Sequence, residues 1–254
     1  MDETTSPRRR AGGRDAKRAA RSARSGVSIP YISRRIPFFE VLDEEGLATI
    51  EGNAETILNE IGIEFRDDAE ALALWRNAGA DVQGERVRFP RGLCRSLIQA
   101  SAPREFTQHA RNPARDVVIG GGNTVFAPAY GSPFVRSLDE GRRYAAIEDF
   151  RNFVKLAYLA PSLHHSGGTI CEPVDLPVNK RHFDMVYSHI KYSDKPFMGS
   201  VTHPLRAEDS VEMARIAFGE RWIDEASGKP RTCLINLINA NSPMTFDATM
   251  LGAA

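Results

Sequence analysis

Leu163-His164-His165-Ser166-Gly167-Gly168-Thr169-Ile170, a helical stretch from Val178 to Lys191, and then Pro196-Phe197-Met198-Gly199-Ser200-Val201-Thr202 make one strand–helix–strand unit. No Asp, Glu, Lys or Arg interrupts the first or the last of these runs, as suits strands buried on both faces. Between them Phe183, Val186 and Ile190 recur at helical spacing and are expected to point inward. The same rhythm extends in both directions. Thr124 to Ala127 reads as a strand ending at Pro128-Ala129-Tyr130-Gly131, and Phe134 to Ser137 as a short excursion. Ile147 to Leu159 is a helix with Phe150, Val154 and Tyr158 on one side. Ala207 to Phe218 is the next helix, Thr232 to Asn239 the fourth strand, and Phe246 to Leu251 the start of a fourth helix after the break at Ser242-Pro243.

Strand starts near 124, 163, 196 and 232 are 39, 33 and 36 residues apart. Regular strand–helix alternation at this period means parallel strands joined by right-handed crossovers. A doubly wound sheet and a (β/α)8 barrel both satisfy it. No GxGxxG follows any of the strands, which disfavours a dinucleotide-binding unit. Polar residues cluster where each strand ends: Tyr130, Thr169 to Glu172, Thr202-His203, and Asn239 to Ser242. Barrel active sites are assembled at that rim, so the expected class is α/β, of the (β/α)8 TIM-barrel type.

Toward the N-terminus, Asp43-Glu44-Glu45 opens a helix in which Leu47, Ile50, Ala54, Ile57, Leu58 and Ile61 recur at helical spacing, with Gly62 placed to end it. Asp68 to Ala78 is a second helix with Leu72 and Trp75 on one face, and Gly79 is its stop. Val82 and Val87 flank a short hairpin. Arg91 to Ala100 is a third helix with Leu93, Leu97 and Ile98 inward. Two strands, 106–110 and 116–120, enclose the Asn112-Pro113 turn. Gly120-Gly121-Gly122 invites a phosphate-loop reading, but no GK[ST] and no helix follow, so a tight turn before Thr124 is expected.

The chain has 254 residues with 33 basic and 33 acidic side chains. The resulting zero hides an asymmetry: residues 1–35 hold ten Arg/Lys and three Asp/Glu, leaving +7 there and −7 in the rest. From Arg8 to Arg24 there is no Leu, Ile, Val or Phe, so residues 1–35 read as a basic disordered tail. The tail is expected to be a solvated extension, because no aromatic or groove-reading element accompanies its charge, and this argues against a nucleic-acid partner. Residues 36–123 then form a region of helices and hairpins, and 124–254 hold the strand–helix units. Cys94, Cys171 and Cys233 form no CxxC pair, which excludes a cysteine zinc cluster and fits a reducing cytoplasm. No apolar run reaches the ~20 residues that span a bilayer.

The candidate binding residues lie at the strand ends. Tyr130 offers an aromatic face, which attracts quaternary ammonium groups. Glu172 could neutralise a cation or act as a general base. His164 and His165 are adjacent on a strand, so their rings point to opposite sides and one at most enters a barrel. His165 and His203, with Glu172, could in principle hold zinc; hydrogen-bonded histidines are the simpler expectation, and no metal site is assigned. His182 and His189, seven apart on one helix, read as structural. Asn236, Asn239 and Asn241 crowd the fourth strand, where Asn is depleted, which implies hydrogen-bonding tasks for Asn239 and Asn241 at the rim.

A family resemblance joins these pieces. Ile57 to Phe65, Asn77 to Val82, Arg86 to Pro90, Phe106 to Pro113 and Val125 to Gly131 resemble, in order, the trimethylamine:corrinoid methyltransferase family in its bacterial members without pyrrolysine. His165 to Gly168, Cys171-Glu172-Pro173 and Asn239 to Pro243 are similar to the same pattern. The resemblance implies a (β/α)8 barrel that moves a methyl group from trimethylamine or a quaternary amine such as a betaine to the cobalt of a corrinoid held by a partner protein. No cofactor would be bound directly, a homo-oligomer is compatible, and no catalytic residue is transferred. It implies Tyr130 and Glu172 around the cationic methyl group, with His165, Asn239 and Asn241 orienting a carboxylate. A barrel of typically ~250 residues needs eight β/α units, whereas residues 124–254 hold three units and the start of a fourth. The expectation is therefore the first half of a longer barrel. The competing expectation is a non-catalytic half-barrel remnant that acts as a binding protein.

Overall fold

The computed structural model describes residues 29–240 and 243–254. Its N-terminal helices begin where the sequence places anionic caps. Asp43 accepts from the Gly46 amide at 2.8 Å and starts α1 (Glu44–Glu60), and Asp68 accepts from Ala71 at 2.9 Å and starts α2 (Ala69–Asn77). Each satisfies one of the helix's orphan N–H groups. Gly62 ends α1 at φ +74°, where a Cβ would also collide with the Val87 carbonyl, so a side chain is excluded twice over.

Four strands form the first sheet. Counting strands along the chain, β1 is Ile32–Ser33, β2 Ile63–Phe65, β3 Asp81–Gln83 and β4 Arg86–Arg88. β3 and β4 are the expected hairpin, β4 pairs antiparallel with β2, and β2 takes a parallel partner from the far end of the chain, Thr245–Phe246. Here the expected helix start is corrected. Phe246 belongs to a strand and stacks on Phe65 at 5.5 Å, while the final helix begins at Ala248, capped by Asp247 on the Met250 amide. The core beneath the sheet is Phe65, Val87 and Phe89, with Trp75 edge-on to Phe89 at 4.8 Å. Helix α3 (Leu93–Ser101) packs beside α1, but Leu97 and Ile98 are exposed rather than inward.

β5 (Glu105–Gln108) and β6 (Val117–Gly120) form an antiparallel pair around the Pro113–Arg115 turn, which Asn112 caps. The triple glycine turns the chain into β7 (Asn123–Thr124), which pairs with β1. The excursion is a hairpin of β8 (Phe134–Ser137) and β9 (Gly141–Tyr144).

From Phe126 onward, four chain segments lie side by side. His164 and His165 both donate their amides to the Phe126 carbonyl, and farther along Gly131 N donates to Thr169 O and Glu172 N to Ser132 O. Ser166 N donates to Pro196 O and Met198 N to Gly167 O. β10 (Phe197–Met198) then runs parallel to β11 (Leu234–Ile235), and β12 is Thr245–Phe246. The spatial order therefore follows the chain order. Helices α4 (Ile147–Leu159), α5 (Arg181–Tyr192) and α6 (Pro204–Phe218) pack consecutively, and α7 (Ala248–Ala253) lies against α6. Phe150, Val154, Met185 and Cys171 form one cluster; Val186, Ala214, Phe218, Phe197 and Cys233 form the next. The expected strands are shorter in the structure: 124–127 becomes Asn123–Thr124, 196–202 becomes Phe197–Met198, 232–239 becomes Leu234–Ile235, and 163–170 runs extended beside its neighbours without a regular ladder. Two helix starts also differ from expectation. α5 starts three residues later than Val178, after a turn in which Lys180 N bonds Pro177 O. α6 starts at Pro204, because His203 caps it and proline suits the first helical position. Phe183 is half exposed: α5 instead buries His182, Met185, Val186 and His189, an i, i+3, i+4, i+7 face. No helix among the described residues is long and apolar enough to cross a membrane.

Candidate functional site

Two polar layers lie along the parallel segments. The first sits at their starts and is sealed. His165, 2% exposed, accepts from the Gly167 amide on Nδ1 at 2.9 Å. Its proton must therefore be on Nε2, which donates to Gln108 Oε1 at 3.0 Å, while Gln108 Nε2 donates to the Phe197 carbonyl at 2.9 Å. One chain of bonds thus ties β5, the second segment and β10 together. Beside it, His189 donates from Nε2 to Gly168 O at 2.9 Å and accepts the Ser166 hydroxyl on Nδ1 at 2.7 Å. Its ring lies parallel to Phe197 and edge-on to Phe150. Burial penalises the cationic form of both rings, lowering His165 to about 3 and His189 to about 4. Lys195, also buried, donates to the carbonyls of Ala157, Ala160 and Leu163 and so closes the C-terminal end of α4. Burial lowers its pKa to about 8. Three carbonyl acceptors favour the ammonium, which is the form present at neutral pH.

His165 is therefore remote from any open surface, and both of its ring nitrogens are occupied. It fixes the Gly167-Gly168 backbone instead of facing a ligand. His164 turns the other way, accepting from Phe126 N at 3.1 Å and lying over the Phe126 ring. His182 is bound to Asp209 at 2.8 Å.

The second layer, at the C-terminal ends, is open. Tyr130 is half exposed. The bonds Gly131 N to Thr169 O and Glu172 N to Ser132 O place Tyr130 and Glu172 on neighbouring backbones. Glu172 does not stand alone: its Oε2 accepts from Arg181 Nη1 at 2.7 Å. Arg181 comes from the first turn of α5, its side chain is 13% exposed, and its Nε has no hydrogen-bond partner. Over the third and fourth segments, Asn236 Oδ1 covers Gly199 so closely that a Cβ there would come within 2.7 Å of it. Arg206 links the adjoining loops, donating to Thr202 Oγ1 and to the Val178 carbonyl. His203 is exposed and accepts from Leu205 N at 3.2 Å, so one of its nitrogens is engaged as a helix cap. Asn239 is exposed at the end of the fourth segment, and Asn241 lies outside the described residues. Among the described residues no group of three or more His, Cys, Asp or Glu converges as a metal site would require.

The geometry thus puts Tyr130 and Glu172 at the ends of neighbouring segments, Asn239 and His203 at the same end of the next two, and His165 in the sealed layer. Sequence reasoning missed Gln108 and Arg181. Arg181 carried a faint signal, a cation nine positions after a carboxylate at a strand end. Gln108 carried none, since it lies in a different hairpin.

Comparison with known proteins adds a second line of evidence. Residues 10–254 match the family model described as trimethylamine methyltransferase (MTTB). The chain is also 48% identical over 218 residues to a glycine betaine methyltransferase from Desulfitobacterium hafniense (strain Y51). That match covers 86% of this chain and 44% of the relative, so the chain spans less than half the relative's length.

Proposed function

Because the chain belongs to the trimethylamine methyltransferase family, we propose that it forms part of an enzyme that demethylates a methylated amine and passes the methyl group to a corrinoid carried by a partner protein. The observation that carries this reading is the 48% identity, over most of the chain, to a glycine betaine methyltransferase. We further read the fold as the first half of a (β/α)8 barrel. Parallel segments in chain order, with successive helices packed side by side, support a singly wound sheet over a doubly wound one.

The C-terminal ends suit a betaine better than trimethylamine. A betaine is a zwitterion with a quaternary ammonium at one end and a carboxylate at the other. Glu172 and Arg181 already form a pair of opposite charges, and the backbone that carries Tyr130 neighbours the one that carries Glu172. The ammonium would lie against Tyr130 and Glu172, an aromatic contact worth about 0.5–2 kcal/mol. The carboxylate would take Arg181, with Asn239 and Asn241 as amide donors. His203 borders this end, and its helix-capping bond holds the loop in place.

The bound corrinoid supplies a nucleophile that accepts the methyl group. The open ends of the segments, where Tyr130, Leu237 and Asn239 face solvent, fit the approach of a planar group held by another protein. The residues' task is alignment: holding the methyl carbon outward and the nitrogen inward for in-line displacement. From a quaternary ammonium such as a betaine the C–N bond breaks with its electron pair going to nitrogen, so the departing amine nitrogen is neutral and no general acid is required; a tertiary amine reacts as its N-protonated cation. Orientation of this kind supplies up to about 7–11 kcal/mol of a barrel enzyme's rate advantage. Three unpaired thiols fit a reducing cytoplasmic setting.

The direct test mixes the protein with a reduced corrinoid protein and, in turn, trimethylamine and glycine betaine, following the cobalt absorbance and the demethylated amine by NMR. Dimethylglycine formation with methylation of the corrinoid is the expected result. Absence of product from every methylated amine, with ligand binding retained, would favour the binding-protein reading, which the 44% coverage of the relative also accommodates.

A further inference from the structure

The hairpin of β8 and β9 stands at the open end of the parallel segments. It rises from the residues just after Tyr130, and its base is tied to the second segment: Ser132 bridges to Cys171 and accepts from Glu172 N at 2.9 Å. Side chains alternate along a strand, so the register sorts them onto two faces. Val135 lies opposite Arg143, and this face is docked on the protein. Val135 packs on the cluster of Phe150 and Val154, and Arg143 donates to both carboxylate oxygens of Asp149 in the first turn of α4, at 2.6 and 2.9 Å. The turn is pinned as well, with Ser137 Oγ accepting from Glu140 N at 3.0 Å.

The other face carries the pairs Phe134–Tyr144 and Arg136–Arg142. It is open: Tyr144 is 59% exposed, and both arginines are exposed. Like charges directly opposite each other on a ladder destabilise it. Nothing nearby offsets this repulsion. Glu140 and Asp149 both go to Arg143, and Asp139 at the turn pairs with neither arginine. Arg142 lies over the Phe134 ring at 3.9 Å, so its guanidinium is held in place, yet it has no hydrogen bond among the described residues. A fixed hairpin that keeps two unmatched cations side by side is arranged for an anionic partner.

We propose that this face receives an acidic segment of the protein that carries the corrinoid, with Arg136 and Arg142 taking its carboxylates and Tyr144 packing beside them. The identity of the partner rests on the methyl-transfer reading above; the unmatched arginines supply its charge. A methyl group held at Tyr130 and Glu172 leaves at this end of the segments, so its acceptor must arrive beside the hairpin. Arginine and tyrosine are the residue types that anchor interfaces. The rigid backing means that few groups need ordering when the partner binds.

Calorimetric titration of the 254-residue chain with the corrinoid protein of the assay above tests this. The dissociation constant is expected to rise about 10-fold between about 50 and 250 mM NaCl. Arg136→Glu should raise it at least about 30-fold, whereas Arg76→Glu, the same change of charge on exposed α2, should stay within about twofold. The melting temperature separates this role from a structural one. The new carboxylate at position 136 pairs with Arg142, so Arg136→Glu should melt level with the parent or higher while losing the partner. Unchanged affinity in Arg136→Glu, equal losses in Arg76→Glu, a lower melting temperature alongside the lost affinity, no binding of the corrinoid protein, or its displacement by a single-stranded DNA oligonucleotide would each overturn the proposal. Binding that follows the expected pattern without any methyl transfer would uphold this surface and sink the methyl-transfer reading. Methyl transfer at an unchanged KM for the corrinoid protein in Arg136→Glu would do the reverse.

Discussion

Glu172 Oε2 lies 2.7 Å from Arg181 Nη1, so the carboxylate at the end of the second parallel segment is already neutralised by the first turn of the helix that follows it. A ligand with only a positive charge must displace that arginine, whereas a zwitterion replaces both halves of the pair. Arg181→Met should therefore separate two substrates. The KM for glycine betaine is expected to rise about 10- to 100-fold, the cost of losing a charged hydrogen bond. The KM for trimethylammonium should stay level or fall, because Glu172 is released. Steady-state kinetics with both amines measures this; equal losses for both would show the pair to be structural.

Tyr130 supplies an aromatic face, and its hydroxyl has no part in the proposed chemistry. Tyr130→Phe should keep kcat/KM within about threefold of the parent, while Tyr130→Ala should lower it about 5- to 30-fold, the size of one cation–π contact. A Phe variant as impaired as the Ala variant would assign the role to the hydroxyl.

Gln108 joins His165 to the Phe197 carbonyl in a fully buried row. Gln108→Leu leaves an imidazole N–H and a carbonyl without partners and should destabilise the fold by about 2–4 kcal/mol. Urea unfolding measures it as a lower midpoint with an unchanged slope.

His165 and His189 are neutral in the fold, with pKa values pushed by burial to about 3 and about 4. In the unfolded chain both titrate near 6.5. Between these values the unfolded state binds protons that the folded state refuses. Stability is therefore full above about pH 6.5 and falls as the pH drops toward 4, by up to about 1.4 kcal/mol per pH unit for each ring. Denaturant midpoints taken across that range check the slope, and His189→Gln should reduce it. A midpoint that rises toward pH 4 would contradict the neutral assignment.

Much of this architecture is legible in local sequence. The first two helices start where expected, at Asp43 and Asp68, which the structure shows to be their caps, α4 occupies Ile147–Leu159 as its apolar spacing indicates, and Val82 and Val87 face each other across the hairpin. The failures share a cause. Phe246 reads as helix because an apolar residue precedes a helical run, yet it pairs with a strand 181 positions earlier. Leu97, Ile98 and Phe183 fit an inward face by period, but which face turns inward depends on what lies opposite.

The candidate site divides along the same line. Sequence placed Tyr130, Glu172, His203 and Asn239 at segment ends, because polar residues that close apolar runs mark where strands emerge. It could not assign His165 to the sealed layer, since the partner that holds it, Gln108, lies 57 residues away in another hairpin.

The alternation of elements, their turns and the family to which the chain belongs were readable from local order alone, because each rests on neighbours within a few positions or on residue identity in order. Which charges meet and which histidines are sealed came from the folded arrangement alone. Hydrogen bonds and burial are set by distance in space, and that distance follows from how the elements pack.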